Sequence, residues 1–254
     1  MPEQMNTYDG KAFANTRTKI IYTMKMRFLA ILGATAIAST SLKAQSNARI
    51  QAGINLANIT VNENGRVDDA NMLSSFQLGI IGDVHLGSIL YLQPGVLFTG
   101  KGSKVQKGTE GSNGYFKQTF NPYYIEVPAN ILIKAPLGKT GSFFVGAGPY
   151  LGIGVGGKTK TEGQTLLGVT YSNDLKIKFS NDDPTTLNEE EGAGFGIVKR
   201  FDYGVNGTVG LEGKSIVLGV NYGYGLAKLQ SGSNSTQDNN NKNRVVSITL
   251  GFKL

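Results

Sequence analysis

Eight times between residue 49 and the end of the chain, a run of about ten residues alternates apolar with polar or small side chains, and the connections between these runs are short and long in strict turn. Alternation at period two marks a strand whose two faces meet different surroundings. Phe76, Leu78, Ile80, Val84 and Leu86 share one face of such a strand, with Gly82 among them. Ser75, Gln77, Gly79, Ile81, Asp83 and His85 share the other. Alternating sets begin in the same way at Tyr123, Phe143, Phe201 and Val246, and weaker ones cover about 49–60, 90–100 and 215–227. At about 10–13 residues, these runs exceed the five or six of a soluble sheet. They suit the roughly 9–11 residues that a tilted strand needs to cross a bilayer.

The connections narrow the choice further. Gly87-Ser88, Pro136 to Gly141 and Gly213-Lys214 are tight turns, whereas 61–73, 101–121, 157–199 and 228–243 are long and polar. A soluble sandwich has no reason to keep that rule. An outer-membrane barrel does, with short periplasmic turns and long outer loops. The pattern predicts an all-β fold: a closed antiparallel transmembrane up-and-down β-barrel of eight strands, or ten if a hairpin inside 157–199 joins it. Thr165 to Tyr171 and Leu175 to Phe179 flank the turn formers Ser172-Asn173-Asp174. Lys176 and Lys178 sit badly against lipid, so this hairpin is expected to protrude as an outer extension.

The N-terminus carries an address. Lys25-Met26-Arg27 precede an apolar run from Phe28 to Ile37, then small residues and Leu42-Lys43-Ala44-Gln45. This is the layout of a secretory signal peptide cut after Ala44, and about ten apolar residues are too few for a membrane anchor. The expected organisation is an upstream extension over 1–23, a signal peptide over 24–44 and a barrel domain over 45–254. Six basic and two acidic residues lie within 1–44, so the formal charge of +7 falls to +3 in the mature chain. That leaves little case for a nucleic-acid partner. No other stretch approaches 18 consecutive apolar residues, which excludes a helical membrane protein. With no Cys in the chain, disulfides, thiolate metal sites and Cys nucleophiles are excluded too.

Aromatic residues fall near the predicted strand ends: Tyr91, Phe143 and Phe252 on the periplasmic side, Phe98, Tyr123, Phe201, Tyr203, Tyr222 and Tyr224 on the outer side. Two girdles of this kind are expected where rings meet lipid headgroups. The inward phase holds glycines (Gly146, Gly148, Gly152, Gly154) that make room for Tyr150, Tyr124 or Phe144. An eight-stranded barrel is just wide enough for side chains to fill it, so an open channel is not expected. Asp83, Glu126, Lys134, Asp202 and Glu212 share that inward phase and are expected to pair, with Glu126 the most buried.

The segments Ala52-Gly53-Ile54-Asn55-Leu56-Ala57, Gln93 to Gly102, Tyr124-Ile125-Glu126-Val127-Pro128, Gly146 to Gly152, Phe201 to Asn206 and Asn221 to Leu226 resemble the outer-membrane β-barrel family of Bacteroidetes that includes PorT-like proteins. The resemblance covers nearly all of 45–254. It implies the barrel fold, and PorT itself is associated with secretion across the outer membrane, but the shared segments are structural and do not transfer that role. The family's barrels commonly end in an aromatic residue, whereas this chain ends Phe252-Lys253-Leu254.

No catalytic, cofactor-binding or metal-ligating residue is assigned. Gly152 to Thr159 matches the phosphate-loop pattern letter for letter, but that motif needs a helix to follow, and no helical periodicity does. The single histidine, His85, has no second ligand nearby in sequence. Asp182-Asp183 and Glu189-Glu190-Glu191 form an acidic patch, and Ser231 to Asn243 reads as a flexible loop tip. The expectation is a non-enzymatic protein of the cell outer membrane. Its partners are outer-membrane lipid and, through the outer loops, envelope or secretion-machinery proteins. The alternative is a soluble, secreted calycin-like barrel that binds a small apolar ligand inside.

Overall fold

Strand follows strand, and the ladder closes on itself. The computed structural model describes residues 46–60, 72–179, 197–229 and 242–254, so the expected extension and signal peptide over 1–44, the acidic patch over 182–191 and most of the Asn/Ser-rich stretch lie outside the described residues. The chain divides into Met1–Ser46 and Asn47–Leu254, and the second unit is the barrel. The strands are β1 (Ser46–Thr60), β2 (Leu73–Gly87), β3 (Leu90–Gly100), β4 (Ser103–Lys107), β5 (Phe116–Leu137), β6 (Gly141–Gln164), β7 (Thr170–Lys176), β8 (Lys178–Phe179), β9 (Ile197–Val198), β10 (Phe201–Glu212), β11 (Ile216–Gly225) and β12 (Lys242–Lys253). Neighbours run β5-β3-β2-β1-β12-β11-β10-β6, and the antiparallel pairing of β6 with β5 completes a ring of eight. Each of the eight runs expected from the sequence supplies one of these strands.

Alternation and closure together sort the side chains. Ile54, Leu78, Ile80, Val96, Val127, Val145, Leu151, Val205, Leu218 and Ile248 stand exposed around the outside. Gln51, Asn55, Gln77, Gln93, Thr99, Asn130 and Ser247 are buried within. A soluble protein rarely exposes so large a continuous apolar surface, but hydrocarbon accommodates it. The polar lining is tied across strands. Asn55 donates from Nδ2 to Thr99 Oγ1 at 2.8 Å and to the carbonyls of Gly100 and Phe76, and accepts from Ser247 Oγ at 2.8 Å.

Tight turns close one end. At the β2–β3 turn Ser88 holds a φ of 50°, the one positive-φ residue other than glycine among those described. A side chain in that region costs about 1–2 kcal/mol, more than glycine's entropic penalty of roughly 0.5–1 kcal/mol. Ser88→Gly is therefore expected to stabilise the barrel by about 0.5 kcal/mol. The check is the midpoint of urea unfolding in lipid vesicles, and an unchanged or lowered midpoint would refute the strain argument.

The long-loop end departs from expectation in an informative way. β5 and β6 run for 22 and 24 residues, well past the barrel rim, and continue to pair from Tyr123↔Gly156 out to Phe116↔Gly163. β4 pairs with the outer part of β5, and β7 with the outer part of β6. A four-stranded sheet, β4-β5-β6-β7, thus projects from the rim. The protruding hairpin is present and stays outside the ring, but its turn lies at Thr165–Val169 and not at Ser172-Asn173-Asp174, which are strand residues in β7. Gly168, at a φ of 84°, supplies the left-handed conformation the turn requires. The polar character of Ser172 to Asp174 comes instead from exposure, since every residue of β7 faces solvent. The phosphate-loop lookalike Gly152 to Thr159 is uninterrupted strand within β6. At the other end of the Asn/Ser-rich stretch, Lys242 and Asn243 already belong to β12, and Asn243 is fully buried.

Candidate functional site: the charged barrel interior

Two buried ion clusters occupy the lumen, one near each rim. At the turn end, Asp83 Oδ2 lies 2.8 Å from both Arg49 Nη1 and Lys134 Nζ. The Lys134 ammonium reaches Glu212 as well, and Glu212 is also bridged by Lys253. Gln93 Nε2 donates to the other Asp83 oxygen at 3.0 Å. Beneath this cluster Leu132, Phe144 and Val217 form an apolar plug, with Tyr91 packed against it.

At the loop end one cation serves two carboxylates. Lys101 Nζ is 2.6 Å from Glu126 Oε2 and 2.8 Å from Asp202 Oδ2. Asn243 Nδ2 and the Tyr150 hydroxyl donate to the same Asp202 oxygen at 3.1 and 3.3 Å. The ammonium also stands 4.1 Å from the centre of the Tyr150 ring, a favourable place for a cation over a π face. Above it Ile59, Phe120, Ile177, Val198 and Leu229 form a second apolar plug, with Phe179 against it.

Glycines let these rings in. A methyl group at Gly210 would lie 2.4 Å from Phe144 Cζ, and one at Gly204 2.7 Å from Tyr150 Cε1, so each ring packs directly on backbone. Between the clusters is a cavity of about 40 Å³ bordered by the amides of Gln51, Gln77, Gln93, Asn130, Asn206 and Asn221. It is large enough for a few waters and polar enough to hold them.

All five inward charges expected from the sequence are buried and ion-paired, but in two clusters rather than one network. Asp83 and Asp202, at 1% exposure, are more buried than Glu126 at 6%. The cavity explains the difference: Glu126 borders it, and neither aspartate does. The sequence reading missed Arg49, Lys101 and Lys253, which supply the balancing cations. Their inward phase was available as a signal, because Arg49 is two residues before Gln51 and Lys101 two after Thr99. Tyr91 also moves. Expected in the periplasmic girdle, it points inward, with Lys134 Nζ 4.6 Å from its ring centre. The outer girdle holds: Phe76, Phe98 and Tyr123 cluster with ring centres 5.4–6.0 Å apart, and Phe201, Tyr203, Tyr222 and Tyr224 are exposed.

Chemically, the carboxylates are held as partners of cations rather than aimed at a cleft. His85 sits exposed at a turn, where its Nε2 lies 3.0 Å from the Ser88 carbonyl oxygen. The arrangement fixes strands to one another and fills the bore.

A family model described as outer membrane protein beta-barrel domain matches residues 39–231. No curated protein matches the chain in sequence. Among solved structures, the attachment invasion locus protein Ail of Yersinia pestis is 13% identical, with 83% of this chain and 99% of that one covered at a TM-score of 0.38. Neisserial surface protein A is 13% identical over 82% and 97% of the two chains, also at 0.38. The N-terminal barrel domain of Pseudomonas aeruginosa OprF is 8% identical over 83% and 100%, at 0.28.

Proposed function

Because this chain belongs to the outer membrane protein β-barrel domain family and is a protein of the outer membrane, we propose that it serves there as a closed scaffold presenting an outer sheet to an envelope partner, and neither as a pore nor as an enzyme. One observation carries this reading: the bore is blocked near both rims, with a small polar cavity between, while the long-loop end is built upward. Two ion clusters and two apolar plugs occupy the lumen. The sheet above the rim ends in a hairpin whose Leu166, Leu167 and Val169 are 79%, 92% and 63% exposed. Large, highly exposed apolar side chains at the far end of the projection are what a protein partner would bury.

The finer reading is that the chain is a PorT-like barrel of Bacteroidetes acting as an accessory to an envelope or secretion machine. It is supported by the sequence segments that resemble that family and by the outward-built sheet. The calycin-like alternative is not favoured, since the interior is charged and the apolar face of every long strand lies outside.

In planar bilayers, the purified mature chain is expected to give no stable conductance steps. A photocrosslinker at position 167 is expected to capture an envelope protein in cells, and one at Lys139 in a tight turn is expected to miss it. Steady ohmic conductance would end the scaffold reading, and equal capture from both positions would end the outer-sheet reading.

A further inference from the structure

The side of the projecting sheet that continues the lipid-facing wall of the barrel carries two lysines opposed across a ladder. Residues paired in an antiparallel ladder share a face. Tyr123 marks the outward face, since its ring stacks on Phe98, itself exposed to the outside. Two residues nearer the tip, Asn121 turns the same way and donates from Nδ2 to the Tyr123 hydroxyl at 3.3 Å. Opposite Asn121 stands Lys158, and opposite Lys158 stands Lys176. Both lysines are exposed.

The next rows on this face hold more lysines, but those are answered. Lys160 faces Asp174 across the ladder. Lys160 and Lys117 both bridge Glu162, at 2.7 and 3.3 Å. For Lys158 and Lys176, no carboxylate among the described residues lies within ion-pair distance. Like charges directly opposite destabilise a sheet, so this row gains from an anion. Its height indicates which one. The row begins two residues above the cluster of Phe76, Phe98 and Tyr123, and rings of that kind mark the level at which acyl chains give way to headgroups. Outward-facing ammonium groups just above that level meet lipid headgroups before they meet bulk water.

We propose that Lys158 and Lys176 clamp a phosphate group of an outer-leaflet glycolipid headgroup, anchoring the base of the projecting sheet to the membrane surface. This goes beyond the scaffold role and does not depend on which protein the hairpin tip meets.

The test uses the full mature chain refolded in neutral detergent micelles and titrated with bisphosphorylated lipid A or its dephosphorylated form. The readout is the temperature at which the folded gel band converts to the unfolded one. The phosphorylated lipid is expected to raise that temperature saturably, and the dephosphorylated lipid is not. The double variant Lys158→Gln/Lys176→Gln is expected to need roughly 30-fold more lipid, at about fivefold for each basic residue at an anionic lipid surface. A control pair at the opposite rim, Lys139→Gln/Lys214→Gln, is expected to match the unaltered protein. All these side chains are exposed, so each variant can first be matched for folded fraction without lipid. If the double variant keeps the unaltered affinity, or if the dephosphorylated lipid works equally well, the proposal is overturned. The first outcome would mean that the lysine pair is neutralised within the chain.

Discussion

Replacing Lys101 with Met should cost the folded barrel about 3–5 kcal/mol, the usual penalty for removing one partner of a buried charge cluster. The side chain is almost fully buried and is the cation shared by Glu126 and Asp202. Its loss leaves two carboxylates, each already out of water, repelling one another beneath an apolar plug. Methionine keeps most of the volume, so packing changes little and the effect isolates charge. Neutralising the partners as well, in Lys101→Met/Glu126→Gln/Asp202→Asn, should recover most of the loss, because the penalty comes from orphaned charge and not from the missing pair itself. Urea titration in lipid vesicles, read by the heat-modifiable gel shift, measures both steps. If the single variant unfolds at the same urea concentration as the unaltered protein, water reaches this cluster freely and the bore is not filled.

The second large effect concerns the opposite face. Ile80 lies at the centre of β2, 56% exposed and paired with Val96. In water, Ile80→Lys at so exposed a position would change stability by less than about 0.5 kcal/mol. Against the hydrocarbon midplane it should cost about 2–4 kcal/mol. The same substitution at Lys139, were it an isoleucine, would be harmless, since that turn lies in the aqueous phase. Comparing Ile80→Lys with Leu86→Lys, one strand end away, should show the cost falling toward the interface. Equal, small losses at both positions would contradict a lipid-facing wall.

These two residues also mark how far the sequence could be read. Ile80 was legible because period two is a property of the strand itself, and four apolar neighbours on the same face repeat it. Lys101 was not. It stands between Gly100 and Gly102, and Gly102 holds a φ of 140°, so the triplet reads as the start of a loop. In space the pairing resumes at Ser103↔Phe120 in the register that ended at Gly100↔Tyr123, and Lys101 keeps its inward phase. The projecting sheet was hidden for a related reason. Lys104, Lys117, Lys158 and Lys176 look like loop residues when lipid is taken as the only outer environment for a strand, and that rule ends at the rim. The hairpin turn was misplaced because Ser172-Asn173-Asp174 are strong turn formers in isolation, whereas pairing of β6 with β7 over seven positions outweighs a local preference. Tyr91 shows the limit of reading girdles from chain position alone: strand ends supply rings to both faces.

The unbroken run of β5 and β6 from the turn rim to the base of the tip has a mechanical consequence. At about 3.3 Å per residue, 24 residues of β6 amount to roughly 80 Å of strand. A pull on the tip is therefore directed along these strands into their ladders with β3 and β10. Load applied parallel to a ladder strains its hydrogen bonds together and does not peel them one at a time. The projection behaves as a post set in the wall of the barrel, and tension on a partner held there is borne by the wall itself.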